Sequence, residues 1–131
     1  MKFDRNKLSK ALESACPEVV FALLHGSAKD GVVRPGSDVD VALFVEGKSS
    51  LDIYQNAYDA IESVISGIEP DVGILNNAEP VYRFEALKGR LLFCRDRERY
   101  ISFFSRTCRQ YEFQMADYER QHRYRLEATK V

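Results

Sequence analysis

Along this chain, segments with apolar residues every three to four positions alternate with short, unbroken apolar runs. That is the pattern of amphipathic helices alternating with buried strands. Residues 4–15 place Phe3, Leu8, Leu12 and Ala15 on one side of a helix that Pro17 closes. Residues 19–24 form a continuous run with β-branched and aromatic members, as in a strand buried on both faces. Gly26-Ser27 then turns the chain. Ser27 stands where it can cap a short helical turn, and Gly31 and Pro35-Gly36 mark loop. A second strand is expected over 38–45. A helix follows over 52–65, where Ile53, Ala57, Ala60, Ile61 and Val64 share a face and Gly67 ends it. A short strand over 71–75 comes after Pro70. Glu79 and Pro80 open a short helix that Gly89 stops, and 91–94 makes a fourth strand.

From about Arg97 the spacing changes. Ile101, Phe104, Cys108, Tyr111, Met115, Tyr118 and His122 recur at alternating steps of three and four, a heptad-like seam on a long helix over about 97–128. A helix of that length spans about 45 Å, more than one small domain covers. Two uses of the seam stay open: packing on the chain's own sheet, or contact with another subunit, a homodimer or a partner protein. The element order predicts an α/β (α+β) fold with a small mixed sheet of about four strands flanked by helices. The length fits one domain over 1–131.

Composition adds limits. With 45% hydrophobic and 30% charged residues the chain reads as an ordinary soluble domain. A net charge of −1 speaks against stable nucleic-acid binding. The charge is uneven: residues 1–94 carry 10 basic and 14 acidic side chains, residues 95–131 carry 9 and 6. The basic C-terminal part suits partner contacts or a solvated helix face. Cys16, Cys94 and Cys108 lack metal-ligand spacing and read as small apolar residues in a reducing compartment. No signal peptide or membrane-spanning run is recognised, so a cytoplasmic location away from membranes is expected.

The chemistry sits around Asp38-Val39-Asp40. In a strand both carboxylates project from one face, where they repel each other, and burial makes that worse. A divalent cation in front of them reverses the sign, since Mg²⁺ takes oxygen ligands and commonly one or two carboxylates with substrate phosphates. An isolated Asp-x-Asp is equally a strand end dipping into solvent, with Asp38 capping a turn. Two further features stand beside it. Gly26 lets backbone approach a ligand closely, and Ser27 offers a hydroxyl and amides for phosphate oxygens, or a plain cap. Asp71 opens the third strand, as a third carboxylate or as a turn residue after Pro70.

Together these residues resemble the DNA polymerase β-like nucleotidyltransferase superfamily. Gly26-Ser27, ten intervening residues, Asp38-x-Asp40 and a later strand aspartate match its pattern without a gap. Arg34-Pro35-Gly36-Ser37-Asp38-Val39-Asp40 is similar to the minimal nucleotidyltransferases, and residues 80–93 with the charged, aromatic helix after them are similar to those acting as antitoxins beside HEPN-type ribonuclease toxins. The resemblance implies transfer of a nucleoside monophosphate, AMP from ATP, to a hydroxyl of a partner protein. It implies two Mg²⁺ ions on Asp38, Asp40 and Asp71, with Asp71 also receiving the proton. It implies phosphate contacts from Gly26 and Ser27, with Ser37, Lys29 and Arg34 as further candidates. Related loops often carry arginine where Asp30 stands here, and Lys29 replaces that charge as a point, not a fork. Glu69 is the fallback third carboxylate. His25 is expected to pack or bond within the loop. Two other classes remain open: a binding module that masks its partner by contact, and a small-molecule nucleotidyltransferase.

Overall fold

The computed structural model describes residues 1–128. The elements run α1 (Arg5–Ala15), β1 (Val19–His25), a 3-10 turn (Gly26–Ala28), β2 (Val39–Val45), α2 (Leu51–Val64), β3 (Pro70–Ile74), α3 (Pro80–Leu87), β4 (Arg90–Cys94) and α4 (Arg97–Ala128). Each expected element is present. Ends differ by a residue or so, as frayed ends do. The expected domain limit at 131 lies outside the described residues.

The strands form one mixed sheet in the order β3-β2-β1-β4. β1 pairs antiparallel with β2 and with β4, and β2 pairs parallel with β3 across the α2 crossover. Lying in the centre, β1 is buried through Leu24 on both faces, which explains its unbroken apolar run. On one face Val19, Ala22 and Leu24 join Val39, Val41, Leu43 and Val45 under α1 and α2. On the other, Val20, Phe21, Leu23 and Ala42 meet Ala86 of α3 and Phe103 of α4. Phe21 anchors that second core: its ring centroid lies 5.0 Å from Phe44, 5.0 Å from Tyr100 and 5.4 Å from Phe103.

Local chemistry fixes the element ends. The Asp4 carboxylate accepts from the Asn6 and Lys7 amides and caps α1. Pro80 occupies the first turn of α3, where its missing N–H costs nothing. The Arg95 guanidinium donates to the carbonyls of Glu13, Cys16 and Val19, so the end of β4 is tied to the α1–β1 connection. Asn76 exchanges two hydrogen bonds with the backbone of Val45 and extends the β2–β3 pairing past the last strand residue.

α4 differs from the expected packing. Its buried residues are Phe103 and Thr107, not members of the seam. Ile101, Phe104, Tyr118 and His122 are exposed, while Cys108, Tyr111 and Met115 are half-buried. The reason is rotational. The face holding Tyr100, Phe103 and Thr107 covers the sheet, and the three-four seam is turned aside from it. Tyr111 stacks on Phe84 of α3 at 3.9 Å between centroids. At 32 residues the helix extends about 48 Å, well past the sheet.

Candidate active site

Register brings the site together. Asp40 on β2 is opposite His25 on β1 and opposite Asp71 on β3. Residues paired across strands share a face, so His25, Asp40 and Asp71 form a row near the end of three adjacent strands. The row lies on the α3 side, where Ala42 and Phe44 continue the same face of β2 into the second core.

Asp40 is half-buried, and burial pushes its carboxyl above the usual carboxylate range. His25 opposes that rise. Asp71 and Asp38 add to it as neighbouring negative charges. Two carboxylates thus stand at paired positions on adjacent strands. That arrangement is unfavourable when both are ionised and favourable around a hard cation.

Asp71, not the fallback Glu69, is the third carboxylate in register with Asp40. Glu69 precedes β3, yet it lines a cavity of about 240 Å³ with Asp38, Pro70 and Asp71. Asp38 lies one residue before β2, where a strand position was expected, and is exposed. No three His, Cys, Asp or Glu side chains among the described residues converge on one point. The structure thus joins Asp40 to Asp71 and leaves Asp38 at the rim.

The glycine-serine turn abuts Asp40. Gly26 has φ +73°, and a Cβ on it would overlap the Asp40 carboxylate, so glycine is required on two counts. Ser27 differs from its expected capping role: the cap position is His25, which makes no side-chain cap bond, and Ser27 lies inside the 3-10 turn, exposed. Three residues are too few for a helix dipole. What remains for an anion is the Ser27 hydroxyl and the turn's leading amides, which have no partner inside the turn.

Arg34 is already engaged. Its guanidinium donates to the Ser27 carbonyl at 2.9 Å and to the Asp30 carboxylate at 3.4 Å. It therefore braces the turn from behind. Asp30 serves as the other end of that brace. Lys29 is exposed with no ion pair among the described residues, and its carbonyl accepts from Arg5 at 3.2 Å. Ser37 is half-buried, and its amide donates to the Arg34 carbonyl at 3.0 Å. Ser37, Asp38, Arg34 and Glu69 line a second cavity of about 450 Å³ beside the carboxylates.

His25 packs as expected, edge-on to the Tyr82 ring at 5.6 Å. Burial lowers its basicity, against the pull of Asp40, Asp71 and Glu85, and its Nε2 has no partner. Tyr82 was not singled out by sequence. Its hydroxyl lies against Gly73, where a Cβ would overlap it, and burial followed by Asp71 and Asp40 pushes its pKa up. The signal was Gly73 itself: a glycine inside a strand marks a close approach. Gly89 does the same for His25, since a Cβ there would run into the Leu24 carbonyl and the His25 Cβ at 2.8 Å.

Three comparisons bear on this arrangement. A toxin–antitoxin structure with AMP-PNP is similar to the chain at TM-score 0.73 and 18% identity, covering 94% of this chain and 98% of that one. A tri-AMPylated Shewanella oneidensis HEPN toxin in complex with MNT antitoxin contains a chain similar at TM-score 0.67 and 17% identity, with 93% and 95% covered. The MntA–HepT toxin–antitoxin is similar at TM-score 0.68 and 17% identity, with 93% and 96% covered. At these identities the likeness is one of fold. A search of curated proteins returns no match. The model of the family described as "Polymerase beta, Nucleotidyltransferase" matches residues 6–98, a span that holds the sheet, the Gly26-Ser27 turn and all three aspartates. The chain belongs to the polymerase β nucleotidyltransferase family.

Proposed function

We propose that this nucleotidyltransferase moves AMP from ATP to a hydroxyl of a protein partner, as the antitoxin that neutralises a HEPN-type ribonuclease toxin. The observation that carries the chemistry is the pairing of Asp40 with Asp71 across β2 and β3, beside the Gly26-Ser27 turn. The partner class rests on the structural likeness to toxin–antitoxin chains, one with AMP-PNP and one beside an AMPylated toxin.

Asp38, Asp40 and Asp71 would hold two Mg²⁺ ions, matching the hard, all-oxygen donor set. When bound, such ions neutralise the triphosphate and acidify the acceptor hydroxyl. Gly26 and Ser27 hold the β- and γ-phosphates, with Lys29 and Ser37 at the edge and Arg34 stiffening the turn. The acceptor oxygen bonds to the α-phosphorus as the bond to pyrophosphate breaks, and Asp71 takes the hydroxyl proton. Half-buried Asp40 is held by register, so little reorganisation is needed.

The test uses ATP labelled at the α-phosphate, Mg²⁺ and the product of the neighbouring reading frame. Label on the partner is expected with wild type and absent with Asp38→Ala or Asp40→Ala. No transfer from any nucleoside triphosphate would overturn the catalytic reading. A second reading, neutralisation by contact alone, is favoured by the exposed apolar seam of α4. Under it, the Asp38→Ala/Asp40→Ala double variant still neutralises the toxin.

A further inference from the structure

α4 leaves an apolar stripe partly uncovered, with Tyr111 in its middle stacked on Phe84 of α3. Ile101 and Phe104 are 53% and 42% exposed, Cys108, Tyr111 and Met115 are half-buried, and Tyr118 is 64% exposed. The stripe is continuous with a small cavity of about 230 Å³ that Ile101 shares with Leu91 and Cys94 at the edge of β4. Its steps of three and four are those by which one helix receives another.

The charges beside it are ordered. Glu98, Ser105, Glu112 and Glu119 recur every seven residues in the column along the solvent side of the stripe. None of the three glutamates makes an ion pair among the described residues. Arg109 and Arg123 lie one column further round, away from the stripe. On its other side stand Tyr100, which packs into the second core, and the buried Thr107.

This asymmetry discriminates between occupants. Helices of two copies packed antiparallel bring like columns together, and a pairing centred near Met115 would set Glu112 of one copy against Glu119 of the other, twice. A parallel pairing would press the sheet-facing column of one copy into its neighbour. Both arrangements work against self-association. We propose that the stripe and its glutamate column form a docking face for a helix of another protein. That helix carries apolar residues at the same three-four spacing and lysines or arginines along the flanking edge. The inference deepens the partner side of the reading above and is independent of its chemistry.

The test uses two designed helical peptides of 24 residues, about the length of the stripe. Both carry leucines at the seam positions; one has lysines on the flanking edge and the other glutamates. Binding to the full chain is read by fluorescence anisotropy without nucleotide, so its failure and a failure of AMP transfer are separate results. The lysine peptide is expected to bind at least tenfold more tightly, with the advantage shrinking at high salt. Glu112→Lys/Glu119→Lys should invert the preference, and Phe104→Ser/Tyr118→Ser should abolish binding of both. Circular dichroism checks that these surface variants stay folded. Equal affinity for both peptides, or no binding of either, overturns the proposal. So does a dimer in sedimentation that Phe104→Ser/Tyr118→Ser dissolves, which would assign the stripe to a second copy.

Discussion

Asp40→Asn separates a metal-binding carboxylate from a structural one. Asparagine keeps the shape of Asp40 and removes its charge. Asp40 and Asp71 are register neighbours on adjacent strands, roughly 5 Å apart. Two negative charges at that distance repel by about 1 kcal/mol in water-like surroundings and about 3 kcal/mol at an effective dielectric of 20. Asp71 is exposed, so the lower figure applies. An acid whose pKa is raised by folding binds its proton more tightly in the native state. Its stabilising effect is then complete below the ordinary carboxylate value and is lost as pH rises through the native value. At pH 7.5 in EDTA the wild type therefore carries the full repulsion, and the variant should be as stable or more stable, by about 1 kcal/mol.

Magnesium reverses the order. At a concentration tenfold above its dissociation constant, a cation bound only by the native state adds about 1.4 kcal/mol. For a chain of this size that raises Tm by roughly 5 °C. The variant should lose most of that increment. Thermal and urea unfolding in EDTA and in MgCl₂ measure both halves. If Asp40→Asn keeps the magnesium increment, or is less stable than wild type in EDTA by more than about 1 kcal/mol, Asp40 is held by its contacts and not poised for a cation.

Gly26→Ala should cost about 1 kcal/mol through the positive φ and shift the Asp40 carboxylate, lowering AMP transfer about a hundredfold; transfer within threefold of wild type refutes the close approach. Phe21→Ala should lose about 3–5 kcal/mol in urea unfolding at unchanged m, because it empties the centre of the second core; a loss under about 1 kcal/mol contradicts that packing. The Cys16 thiol is pushed up to about 11, by burial first and Glu18 second. With Ellman's reagent at pH 8, Cys94 and Cys108 should react in the native protein and Cys16 only after unfolding; three equal rates refute its burial. Since the unfolded thiol ionises near 9.0, stability should fall between there and about 11, and Cys16→Val should flatten that slope.

Much was legible in the chain because the signals were local. The unbroken run at 19–24 marked the central strand, since only a strand buried on both faces needs no polar side. The Gly26-Ser27 turn with Asp38 and Asp40 marked the candidate site, because that spacing is carried within two adjacent strands and their loop. The 32-residue helix was readable from periodicity almost to the residue. Other features depended on how distant segments meet. Pairing across β2 and β3 sets Asp71 opposite Asp40, and a register shift by one residue would have turned Asp71 to the other face. The Arg34 brace between Ser27 and Asp30 exists only once the loop has closed. Tyr82 reached the site because α3 folds back over β3, with only the bare Gly73 as a sign. The seam of α4 was visible as a pattern, but its rotation was not, because a helix shows its period in sequence while its azimuth is set by whatever it packs against. Phe103 and Thr107 became the buried positions, and much of the seam was left exposed. The sequence alone therefore determined the elements, the turn and the acidic pair; tertiary packing decided which carboxylates stand together and which face of the last helix stays free, because both depend on contacts between segments far apart in the chain.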